Sequence, residues 1–109
     1  PDGLAMSSRN SYLSAEERQA ALSISRALIL AQQMVDSGVI DSRQIAGRLK
    51  EFMETGPLAH LIYLEYLEVR DAETLAPVET VSPAGTLVAI AAKVGKTRLI
   101  DNSIIRVDR

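Results

Sequence analysis

The hydrophobic positions of this 109-residue chain change period near its middle, and the change separates a helical first half from a stranded second half. Ala21, Ile24, Leu28, Ala31 and Val35 recur at steps of three and four, which lays one apolar stripe along a helix and leaves Arg18, Gln32 and Asp36 on other faces. Ser14 with Glu17 three residues on forms a capping box, the hydroxyl accepting an orphan N–H and the carboxylate returning to the cap's own N–H. A helix is therefore predicted over Ala15 to Asp36, ended by Gly38 as its left-handed residue. It would be about 30 Å long, and its alanines permit close approach to a neighbour. Asp41 followed by Gln44 is a second cap signal, and Ile45, Leu49, Phe52 and Met53 make a second stripe that closes at Gly56-Pro57. The short connection over 37–40 leaves these helices to pack as an antiparallel hairpin.

Beyond Gly56-Pro57 the period shortens. Leu64 to Arg70 reads as a strand with Leu67 and Val69 inward and Glu68 and Arg70 outward, although Leu64 and Tyr66 blur the alternation. Asp71 then caps a tight turn. Thr86 to Ala92 is a continuous apolar run, the pattern of a central strand covered on at least one face. Gly95-Lys-Thr97 supplies a hairpin turn, and Arg98 to Ile100 with Ile104-Ile105 returns as a last strand, interrupted at Asp101-Asn-Ser103. The predicted fold class is α+β, a two-helix hairpin packed on a small, mainly antiparallel three-stranded sheet.

Composition narrows the chemistry. The length fits one small domain, and without Trp and with a single Phe its core must be aliphatic. No cysteine means no disulfide and no thiolate, which suits a reducing compartment and a cytoplasmic location. A net charge of −2 removes the electrostatic case for nucleic acid, and no apolar run is long enough to span a membrane. The single histidine, His60, has no second His or Cys at ligand spacing, so no metal site is expected and an exposed connector is the better reading. Glu65, Glu68, Asp71, Glu73 and Glu79 are accounted for as outward strand positions and a turn cap. Lys93, Lys96 and Arg98 around the hairpin can approach an anion or simply discourage strand pairing between molecules. Asp101-Asn102 reads equally as a conformational device or a ligand contact.

Met6, Ser7, Ser8 and Arg9 form the segment with the most chemistry. Two adjacent hydroxyls and a guanidinium on a glycine-preceded loop are what a polyphosphate needs, single donors plus a planar fork, yet Ser-Ser-Arg-Asn is also ordinary loop composition. The whole string Asp2-Gly-Leu-Ala-Met-Ser-Ser-Arg-Asn10, followed by Tyr12-Leu13 and Ser14-Ala-Glu-Glu-Arg18, resembles the signature that opens the C-terminal half of the pantoate–β-alanine ligase family. Asp71-Ala-Glu-Thr-Leu75 and Gly95-Lys-Thr-Arg-Leu-Ile-Asp-Asn102 look like the family's later motifs, in the same order.

The resemblance implies an ATP-dependent ligase that joins pantoate to β-alanine through a pantoyl-adenylate, giving pantothenate, AMP and pyrophosphate. It implies that residues 1–13 are a phosphate-binding loop with its lead-in and 14–109 a C-terminal lid domain. Met6 to Arg9 would then be the counterpart of the mobile Lys-Met-Ser-Lys-Ser loop of class I aminoacyl-tRNA synthetases. Ser7 and Ser8 would hold phosphate oxygens of ATP, and Arg9 would neutralise charge on the leaving pyrophosphate. Mg²⁺ would accompany the ATP. The family's His-x-Gly-His motif needs two histidines, so no complete catalytic set is expected in this chain; an N-terminal nucleotide-binding domain of the same enzyme is the implied partner. A start on Pro1-Asp2, inside a motif and without an initiator Met, reads as an excised domain. The rival from another class is a non-catalytic adaptor that binds a protein through a strand edge or helix face.

Overall fold

The computed structural model describes residues 14–56 and 58–107. Helix α1 (Ala15–Asp36) and helix α2 (Ser42–Glu54) are followed by a single 3₁₀ turn (Ala59–Leu61) and three strands, β1 (Ile62–Asp71), β2 (Thr86–Val94) and β3 (Thr97–Ile105). The sheet has the order β1-β2-β3 and both pairings are antiparallel. This is the α+β arrangement expected, with the two helices on one face of the sheet.

The helices begin and end where local chemistry directs. Ser14 Oγ accepts from the Glu17 N–H at 3.1 Å, and Glu17 Oε1 accepts from the Ser14 N–H at 2.9 Å, so the capping box is complete. At the other end Gly38 takes φ +102°, letting the Val39 N–H reach Met34 O at 2.8 Å and its own N–H reach Val35 O at 3.0 Å, a Schellman closure. Asp41 Oδ1 caps α2 by accepting from the N–H groups of Arg43 and Gln44. The predicted stripe of α1 is buried throughout, joined by Ala20 and Ala27, which have no exposed surface and allow the helix to lie close to its neighbours.

Ile45, Leu49 and Met53 of α2 meet Val88, Ile90, Ala92 and Val94 of β2 in one core. The blurred alternation in β1 has a physical cause. Leu64 pairs with Ala92 and Tyr66 with Ala91, so Glu65 is an extra residue, a β-bulge that resets the period and turns both Leu64 and Leu67 toward the core.

One expectation is overturned. β3 is not interrupted at Asp101-Asn-Ser103: these residues pair with Ile90, Ala89 and Val88 in unbroken register. Burial alternates along the whole strand, so Asp101 and Ser103 share the inner face with Leu99 and Ile105. They are tolerated there because β3 is an edge strand, and its middle faces an open recess beside Ser25 and Gln32 of α1 rather than the packed core. An inward-pointing charge on an edge strand also opposes pairing with a second sheet.

Candidate functional site

Met6, Ser7, Ser8 and Arg9, the residues singled out for phosphate, lie outside the described residues, as does the Tyr12-Leu13 lead-in. The structure describes the platform to which they are joined. Arg9 stands five residues before Ser14 in the sequence.

That platform is built from three elements. The capping box holds the first turn of α1, whose Glu16 and Glu17 complement the positive helix terminus. Val94 and Thr97 pair across a two-residue turn, Gly95-Lys96, in which Gly95 has φ +62° and Lys96 is not left-handed, the type II′ arrangement that places Gly first. The 3₁₀ turn joins them, since the Gly95 N–H donates to Leu61 O at 3.3 Å. Gly95 lies directly against the Glu17 carboxylate: an ideal Cβ there would collide with Oε2 and stand 2.7 Å from Cδ. The motif segment beginning at Ser14 and the one beginning at Gly95 thus meet side chain to backbone, about 80 residues apart in the chain.

The hairpin cations divide. Lys93 and Lys96 are exposed and make no ion pair with another described residue. Arg98, register partner of Lys93 on the outer face, reaches across β2 to Glu65 at the bulge of β1, Nε to Oε1 2.5 Å. It therefore ties the two edge strands together and is not free for an anion. His60 is exposed in the 3₁₀ turn, and no three potential metal ligands cluster among the described residues.

The acidic residues are structural where their contacts are described. Glu68 pairs with Arg70 at 3.0 Å. Asp71 Oδ1 accepts from the N–H groups of Thr74 and Glu73, both at 2.8 Å, and these bonds hold its pKa below the ordinary aspartate value. The second motif segment, Asp71 to Leu75, is thus a turn, closed by Leu75 N–H to Asp71 O and carrying Leu75 at φ +63°. Asp101 and Asn102 stand at the α1–β3 recess, away from the Gly95 end, with the Asn102 N–H donating to Asp101 Oδ1 at 2.8 Å. Reading the sequence missed the Glu17–Gly95 contact and the Glu65–Arg98 pair. For the first, the sequence marks Gly95 as a turn glycine but not the side chain it packs against; the second depends on a bulge that exists only once β1 and β2 are paired.

Comparison with known proteins follows the same outline. A family model described as pantoate-beta-alanine ligase matches residues 1–104. A pantothenate synthetase of Sulfurihydrogenibium sp. is 47% identical over 102 residues, 94% of this chain and 35% of the relative. One of Trichlorobacter lovleyi is 45% identical over 105 residues, 96% of this chain and 36% of that one. The crystal structure of pantothenate synthetase from Thermus thermophilus superposes with a TM-score of 0.82 at 31% identity, covering 96% of this chain and 36% of that one. The chain thus spans 34–37% of the length of the curated relatives it matches.

Proposed function

Because the chain belongs to the pantoate-beta-alanine ligase family, we propose that residues 14–109 are the C-terminal lid domain of an ATP-dependent ligase and residues 1–13 its phosphate-binding loop. The observation that carries this reading is the match of nearly the whole chain to about a third of each relative. With one histidine the chain cannot hold the family's His-x-Gly-His motif by itself, and this reading assigns that motif, with the sites for pantoate and adenosine, to an upstream nucleotide-binding domain.

In the proposed reaction a carboxylate oxygen of pantoate attacks the α-phosphorus of ATP. The bond to the bridging oxygen breaks and pyrophosphate leaves with that electron pair. The amine of β-alanine then attacks the acyl carbon of the pantoyl-adenylate, AMP departs, and the amine loses a proton to give the amide. Met6 to Arg9 serve the first step. Ser7 and Ser8 donate to phosphate oxygens, and the Arg9 guanidinium meets the charge that grows on pyrophosphate, its fork fixing position as well as charge. In sequence the loop precedes Ser14 by more residues than one helical turn holds, so this reading assigns little to the α1 dipole, which fades within the first turn. A closing lid also keeps water from the acyl-adenylate. On this reading Mg²⁺ accompanies the phosphates of ATP as part of the substrate, and no step is routed through it.

The test is a product assay on the full-length protein. Purified and folded, it should convert ATP, pantoate and β-alanine to pantothenate, AMP and pyrophosphate in equal amounts, and its upstream coding sequence should contain a His-x-Gly-His motif. A folded full-length protein that makes no pantothenate, or one with an unrelated upstream domain, would favour the adaptor reading.

A further inference from the structure

We propose that the outer face of the sheet, the one turned away from the two helices, is the surface on which the rest of the enzyme docks, the nucleotide-binding domain assigned above to the same chain. The inference rests on that reading and adds to it the face through which the two parts meet.

An antiparallel sheet with one face on a core ordinarily turns polar side chains to water on the other. This sheet departs from that pattern. Tyr66, Ala91 and Ile100 form one cross-strand row of the outer face, and Leu87 and Ile104 stand side by side in another. Tyr63 is 69% exposed there, Ile100 48%, Ile104 45% and Tyr66 36%, so four of the seven exposed large apolar side chains among the described residues share this face. Its charges are largely spent within it. Arg98 pairs with Glu65 and Arg70 with Glu68, which leaves Lys93 as its only charge without an ion pair to another described residue. Such a face suits another apolar protein surface and not a polyanion. Its size decides between occupants. Three strands about 4.8 Å apart and nine residues long, at about 3.4 Å each, give an area on the order of 400 Å². A second copy docked on it would bury about 800 Å² in all, short of the roughly 1,200–2,000 Å² of a stable complex. A domain of the same chain needs no more than that, because about 800 Å² is ordinary for an interdomain contact and tethering supplies an effective concentration on the order of millimolar. The match covers 35% and 36% of the two relatives named above, so about two thirds of each is tethered chain of this kind.

The test uses the full-length protein with single cysteines in place of Ile100 and Ile104 on the outer face and of Ile29 on α1, three isoleucines of similar exposure in this domain. Alkylation at each site is followed by peptide mass spectrometry. A face docked for about nine-tenths of the time is labelled about 10-fold more slowly than a free one, so Ile100→Cys and Ile104→Cys should lag Ile29→Cys by about that factor or more. A benzophenone carried on Ile104→Cys should crosslink within one molecule, to a peptide outside residues 1–109. Equal labelling at the three sites overturns the proposal, as does slower labelling at Ile29→Cys than on the sheet. An adduct that joins two copies, or one that lands on residues 1–13, overturns it as well by naming a different occupant. Should Ile100→Cys fail to fold, Ile104→Cys decides alone. The product assay described above separates the two readings. Slow outer-face labelling in a protein that makes no pantothenate defeats the ligase reading and leaves the docking face standing, whereas fast labelling in an active enzyme defeats only the docking face.

Discussion

Asp71 shows how much a single half-buried side chain can organise. Its carboxylate accepts two backbone N–H groups, from Thr74 and Glu73, and these favour the ionised form, so its folded-state pKa lies below 3.8. A depressed acid contributes stability that is present above the unfolded-state pKa and lost as pH falls through the lower folded-state value. Asp71→Asn keeps an oxygen acceptor for the turn but cannot titrate. The melting temperature of wild type should therefore fall relative to Asp71→Asn as pH drops below about 3.8, with a constant difference at neutral pH. A difference that does not change down to the acid limit would show that the carboxylate's charge is irrelevant to the turn. Glu65 offers a contrast. Its partner Arg98 is 41% exposed, so Glu65→Ala should cost no more than about 1 kcal/mol in denaturant unfolding despite the short contact.

Elements were legible to the extent that their causes are local. The bounds of α1 could be read because a capping box and a Schellman glycine lie within four residues of its ends, and the stripe between them predicted its buried face. Ser14→Ala should accordingly destabilise the domain by about 0.5–2 kcal/mol, measured by urea titration. Leu49, fully buried between helix and sheet, should cost about 2–5 kcal/mol as Leu49→Ala. The strands were harder. The bulge at Glu65 and the continuity of β3 through Asp101-Asn-Ser103 are set by the partner strand: a ladder to β2 outweighs the turn preference of Asp and Asn, and an open flank beside α1 lets polar residues occupy inner-face positions. At the candidate site the residue types of Met6 to Arg9 and the role of Ser14 were visible in the chain. The seating of Gly95 on Glu17 was not, because it joins residues whose proximity only the packed fold creates.

Across the described residues, two helices covering one face of a three-stranded sheet make one core that runs from Ala20 to Ile105. The 109-residue chain on its own should therefore give a dispersed amide spectrum and a cooperative melt, yet form no pantothenate from ATP, pantoate and β-alanine. The account as a whole stands on Arg9 and the loop around it, and rapid-quench measurement of pantoyl-adenylate formation in the full-length enzyme tests it most directly. Arg9→Ala should slow that single step by about 10²- to 10³-fold with pantoate affinity nearly unchanged, and Arg9→Lys should recover only part of the rate, because charge returns without the guanidinium fork. Adenylate formation at the wild-type rate in Arg9→Ala would contradict the assignment.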